Sequence, residues 1–182
     1  MKRVIFIEPN IENGELIEIL FNKYNPDSSF VKPHICLVFP FESNITKDEI
    51  NNIFSKILSR YNDFNIVLDG TSISYEDDNN FLFLNVDDQN NILKEISEEL
   101  YGQLGPNAKL KGEYTPHITI GKSKSVQEIE LINSVVSNLL TSSFNARIES
   151  IYSKILLKDD NGNIFLENEI EYNFIKEQNK LF

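Results

Sequence analysis

His34 and His117 are the only two histidines in a chain of 182 residues, and each stands in the same setting. Residues 32–39 read KPHICLVF and residues 115–122 read TPHITIGK. Each histidine therefore follows a proline, precedes an isoleucine and opens an apolar run. An unperturbed imidazole titrates near pH ~6.5, so both protonation states are accessible at neutrality. One ring can take a proton from an attacking hydroxyl or water while the other gives one to a leaving oxygen, an arrangement suited to phosphodiester chemistry. A hydroxyl two residues along can donate to a non-bridging phosphate oxygen and steady the charge that develops there. Thr119 supplies that hydroxyl in the second run, whereas Cys36 stands at the matching place in the first.

The elements that position these residues can be read from periodicity. Alternate residues of a strand share a face. His34, Cys36 and Val38 are thus expected to point one way and Ile35 and Leu37 the other. In the second run His117, Thr119 and Gly121 are expected together, opposed by Ile118 and Ile120. If helices cover the isoleucine faces, both histidines look into a shared cleft.

Helical stripes predict four helices, over residues 13–24, 46–61, 91–104 and 125–141. Thr46 with Glu49, and Ser125 with Glu128, have capping spacing. Strands are predicted at 3–8, 34–41, 64–77, 81–87, 117–122, 144–157 and 164–174. Asn161-Gly162 predicts a tight hairpin between the last two.

The two histidine runs are 83 residues apart, and each leads through a capped helix to a strand beginning Phe-Asn, at 64 and 144. Strand, helix and strand therefore recur, with equivalent segments near 33–75 and 116–157. Two units are too few for a solenoid. A single bilobal domain over 1–182 is expected, with paired lobes facing across a pseudo-twofold axis and equivalent residues meeting in the cleft.

The formal charge of −11 disfavours long duplex nucleic acid, whose binding relies on lysine and arginine. A small phosphorylated ligand in a locally basic pocket is compatible with it. Cys36 is the single cysteine, so no intrachain disulfide can form, and one cysteine with two separated histidines makes a poor zinc site. No segment has the length of a membrane span or a signal peptide. A soluble, reducing, cytoplasmic setting, a monomer and no metal or other cofactor are the expectations.

The runs PHICLVFPF and YTPHITIGK resemble the paired H-x-[T/S]-apolar signatures of the 2H phosphoesterase superfamily, which includes 2′-5′ RNA ligase-like proteins and cyclic phosphodiesterases. A single H-x-T carries little information, but two in matched contexts are specific, and the element order across most of the chain fits as well. The resemblance implies an α+β bilobal fold, with two antiparallel sheets flanked by helices around a central cleft. It implies His34 and His117 as the catalytic pair, Thr119 as a phosphate-holding hydroxyl and Cys36 in place of the other. Lys122, five residues after the second histidine, matches a phosphate-contacting position, and Phe39, five after the first, a place for base stacking. The implied substrates are 2′,3′-cyclic phosphates or 2′-5′ linkages of nucleotides or short RNA ends, cleaved without metal.

Blander readings stand beside these. Thr119 suits any strand, Phe39 and Phe41 suit a core, and Lys122 suits a solvated surface. Tyr114 could flank the cleft, although nothing in its spacing shows it. Cys36, a weak hydrogen-bond donor, leaves three readings open: a replacement in a slower enzyme, the mark of a module that binds nucleotide or RNA ends without turnover, or a nucleophile. Against the nucleophile, residues two apart on a strand are about 6.5 Å from each other, which is poor for activation by His34. A purely structural domain with relic histidines is the remaining alternative.

Overall fold

The computed structural model describes residues 1–106, 108–110 and 112–175. Helices form where apolar stripes were read. α1 (Glu15–Tyr24) buries Ile17, Leu20 and Phe21, and α2 (Lys47–Leu58) buries Ile50, Phe54, Ile57 and Leu58. Thr46 opens α2 with a full capping box: its hydroxyl accepts the Glu49 N–H, and the Glu49 carboxylate accepts the Thr46 N–H at 2.7 Å. Such a cap contributes about 1 kcal/mol. α3 (Ile92–Leu104) and α4 (Val126–Leu139) complete the set, α4 being capped by Ser125, which accepts the Glu128 N–H.

The strands are β1 (Lys2–Ile7), β2 (Asn10–Ile11), β3 (Ile35–Glu42), β4 (Phe64–Tyr75), β5 (Asn80–Asp87), β6 (His117–Ser123), β7 (Phe144–Ile148), β8 (Ser150–Lys158) and β9 (Ile164–Asn173). Among the described residues they form one nine-stranded sheet in the order β2-β7-β4-β5-β6-β3-β1-β8-β9, with antiparallel neighbours throughout. The two sheets expected from the sequence are thus continuous. Between the strands, they join where β3 meets β6, at the single register pair Ile35↔Ile118, and an isolated parallel bridge, Asn62↔Ile175, links the halves beyond the ends of β4 and β9.

Prolines flank the junction. Extending the register two places in either direction sets Pro33 opposite Ile120 and Pro116 opposite Leu37. A proline has no N–H to donate to a ladder. One such residue thus stands just before each histidine, beside the point where pairing stops.

Residues 144–157 do not make one strand. β7 pairs with β4 in one half of the sheet, and after Glu149 the chain continues as β8 beside β1 in the other half. β4 also crosses: it lies between β5 and β7, so the two strands that begin Phe-Asn are direct neighbours, with Phe64 opposite Ile148 and Leu68 opposite Phe144. The final hairpin closes over five residues, from the Lys158↔Ile164 pair, rather than through a two-residue turn. Asp159 accepts the N–H groups of Asn161 and Asn163, and Gly162 takes φ +82°, a left-handed backbone that favours glycine.

One face of the sheet is covered by helices. α3 packs on β3, α1 on β6, and α4 on β4, β5 and β6. Ile35, Leu37, Ile118 and Ile120 are fully buried beneath them, so the isoleucine faces are the core faces. Away from the cleft, Arg3 and Glu169 form a buried two-pronged ion pair at 2.7 and 2.8 Å that ties β1 to β9, with Ser153 of β8 donating to the same carboxylate.

Candidate active site

Directly opposed residues of an antiparallel pair share a face of the sheet. Since Ile35 and Ile118 are opposed and buried, their neighbours His34, Cys36, His117 and Thr119 all fall on the other face. There they line a single cleft of ≈ 660 Å³, together with Phe39.

Simple alternation fails one step further along each strand. Opposite β3, Phe6 pairs with Cys36 and Ile5 with Val38, which leaves Leu37 as an extra residue. Opposite β6, Phe83 pairs with Thr119 and Leu82 with Gly121, which leaves Ile120 extra. These two bulges sit 83 residues apart, at equivalent places in the two runs. A bulge shifts the side-chain parity of the residues after it until the next irregularity, and β3 has a second one between Val38 and Phe41. Val38 and Gly121, expected to face the cleft, therefore face the core. Val38 is fully buried, and a Cβ on Gly121 would lie 3.4 Å from Tyr24 Cβ and 3.5 Å from Ile132 Cγ2. The fifth residue after each histidine turns toward the cleft side instead. Phe39 lines the cleft at 46% exposure. Lys122, paired in register with Phe81, stands at the margin with its Nζ 5.6 Å from the centre of that cleft-lining ring.

Bulges and short pairing free backbone groups of β3, and side chains take them up. Tyr114 Oη donates to the Cys36 carbonyl at 3.1 Å, Ser97 Oγ donates to that of Leu37 at 2.7 Å, and the Phe39 N–H donates to Tyr101 Oη at 3.0 Å. On β6, Asn25 Nδ2 donates to the Thr119 carbonyl at 2.8 Å.

The two imidazoles are held alike. Nδ1 of His34 lies 2.8 Å from the Lys32 carbonyl and Nδ1 of His117 lies 2.9 Å from the Thr115 carbonyl. A carbonyl only accepts, so each Nδ1 carries hydrogen and each Nε2 is left with its lone pair. Each ring also packs on a phenylalanine of the adjacent strand. His34 is 4.9 Å from Phe6, and His117 stacks on Phe83 at 3.8 Å. Phe6 and Phe83 occupy matching register positions, opposite Cys36 and Thr119.

Burial lowers both imidazoles from the ordinary histidine value, opposed by the bonds from Nδ1 to the backbone carbonyls. Positive charge on His34 lowers His117 further, so the pair favours holding one proton over two. Beside His34, Glu8 acts against the shift and Lys154, bonded to Glu8 at 2.6 Å, acts with it.

Cys36 is part-buried, with Sγ 3.9 Å from the Ile5 carbonyl, and burial pushes its thiol up to about 12. It therefore stays protonated near neutrality, and a protonated thiol is a poor nucleophile. Among the described residues, no three histidine, cysteine, aspartate or glutamate side chains cluster so as to hold a metal ion. Nor is any described helix long and apolar enough to cross a membrane.

Sequence reasoning missed several cleft residues. Phe83 and Asn85 alternate with buried leucines along β5, a signal that was visible. Ser72, Ser74, Glu76 and Asp27 also line the cleft. They come from segments whose neighbours are chosen by tertiary packing, and no local pattern marks them.

A family model described as the 2′-5′ RNA ligase superfamily matches residues 9–153. No curated protein matches in sequence. Among solved structures, Usb1 of Kluyveromyces marxianus is 13% identical with a TM-score of 0.59, over 91% of this chain and 96% of that one. LigT of E. coli complexed with 3′-AMP is 11% identical with a TM-score of 0.58, over 95% and 97%. A crystal structure described as a phosphoesterase is 10% identical with a TM-score of 0.58, over 96% and 99%. At these identities the likeness is one of fold.

Proposed function

The chain belongs to the 2′-5′ RNA ligase superfamily, and from that membership we propose that it is a metal-independent phosphoesterase acting on 2′,3′-cyclic phosphates or 2′-5′ linkages of nucleotides or short RNA ends. The observation that carries this reading is the matched tethering of His34 and His117, which leaves the Nε2 lone pairs of both to the cleft that both line.

On a 2′,3′-cyclic phosphate, the neutral imidazole takes a proton from water through Nε2 as the water oxygen bonds to phosphorus. The bond from phosphorus to one ribose oxygen breaks, and the protonated imidazole gives its Nε2 proton to that oxygen. The product is a phosphomonoester with a free ribose hydroxyl, and the proton has moved from one histidine to the other. Thr119 donates to a non-bridging oxygen, and Lys122 at the margin attracts the phosphate charge. Which ring starts as base follows from how the substrate lies in the cleft. The near-symmetry of bulges, tethers and phenylalanine contacts supports a pseudo-twofold, bilobal site.

The test is turnover of 2′,3′-cyclic nucleotides and 2′-5′-linked dinucleotides with EDTA present, alongside calorimetric binding of the same compounds. His34→Ala and His117→Ala are each expected to lower kcat/KM by about 10²–10⁴-fold. Turnover by either variant equal to that of the parent would refute the two-histidine mechanism. Binding without turnover by the parent would instead make the domain a binding module.

A further inference from the structure

The two tethered histidines do not account for the charges on the walls around them. Among the described residues lining the cleft are three carboxylates, Asp27, Glu76 and Glu113, and no lysine or arginine. Two nearby cations are already engaged: Lys94 is bonded to Glu113 and Lys154 to Glu8, both at 2.6 Å. Lys122 is the cation assigned above to the scissile phosphate.

We infer that the cleft selects substrates whose scissile phosphodiester is their only anionic group, and that Glu76 and Asp27 set this selectivity. The inference rests on the phosphoesterase reading and narrows its substrate class. One imidazolium, Thr119 and Lys122 suffice for a singly charged cyclic phosphate. A terminal phosphate adds roughly 1.5–2 further negative charges. Asp27 and Glu76 line the same cleft as both histidines, and charges closer than the Debye length of about 10 Å at 0.1 M salt are only partly screened. A second phosphate in or at the mouth of such a space remains within electrostatic reach of the wall carboxylates. Glu113 contributes less, because Lys94 already offsets it. Glu76 and Asp27 have no such partner among the described ion pairs.

The experiment compares kcat/KM for adenosine 2′,3′-cyclic phosphate with and without a 5′-phosphate, at low and high salt. The 5′-hydroxyl compound is expected to be preferred by about tenfold at low salt, with the gap closing as salt screens the carboxylates. Glu76→Gln and Asp27→Asn are each expected to narrow the low-salt ratio, and Glu76→Lys to narrow it most. A preference for the 5′-phosphorylated compound overturns the inference. So does a ratio indifferent to both salt and these substitutions. If neither compound is turned over, the phosphoesterase reading fails separately. Charge selection is then decided by calorimetry with 3′-AMP and adenosine 3′,5′-bisphosphate: weaker binding of the bisphosphate at low salt supports it, and equal or tighter binding refutes it.

Discussion

Ile35 of β3 lies directly opposite Ile118 of β6, the single register pair through which strands of the two halves of the sheet meet. Each isoleucine follows a histidine, so the pairing sets both imidazoles on the face away from the helices. A proline stands before each histidine. The repeated Pro-His-Ile triplet thus encodes both the joint and the site.

The pH dependence follows from the lowered imidazoles. Between their folded values and about 6.5, the folded chain holds fewer protons than the unfolded one. Stability therefore falls as pH drops from about 6.5 through the folded values, and this loss is absent above that range. The urea midpoint of the parent should decline between pH 7.5 and 5.5 more than that of His117→Gln. Parallel declines would contradict the burial of an unprotonated ring. Because the proposed mechanism needs one protonated imidazole, kcat/KM should peak on the acid side of pH ~6.5.

Cys36→Thr should raise kcat by about tenfold, since a hydroxyl donates more strongly than a thiol to phosphate. An unchanged or lower rate would count against a phosphate-facing position 36. With its thiol pushed up to about 12, the folded parent should also react with iodoacetamide at pH 8 far more slowly than the urea-unfolded chain.

Lys122→Ala should raise KM several-fold at low salt, with the effect shrinking toward about 0.5 M salt as charges are screened. The bulge at Ile120 brings this residue to the cleft side. No change in KM would place the ammonium in solvent, outside the substrate's field.

Tyr114→Phe removes the donor to the Cys36 carbonyl and leaves that acceptor without it, at a cost of about 1–3 kcal/mol measured by denaturant unfolding. If Tyr114 also fixes the bulge beside His34, kcat should fall while KM moves little. Loss of stability with unchanged kcat would confine it to support of the fold.

Much of the architecture was legible in the residues. The stripes through Ile50, Phe54 and Ile57 gave α2, and the matched histidine runs identified the pair later found lining one cleft. Such signals involve residues a few positions apart, whose faces follow from helical or strand periodicity alone. The breaks in that periodicity were not legible. Nothing local in ICLVF or ITIGK says that Leu37 and Ile120 bulge out of register, because a bulge exists only against a partner strand.

The chain's own pattern thus determined two histidines on apolar-backed strands, each preceded by a proline. Tertiary structure decided that Phe39 and Lys122 turn to the cleft side while Val38 and Gly121 turn inward. It also decided that the chain switches sheet halves at Glu149, and that Glu76 and Asp27 share the histidines' cleft. Strand partners are chosen by contacts far apart in sequence, and the charge of a cleft is the sum of whatever those partners bring.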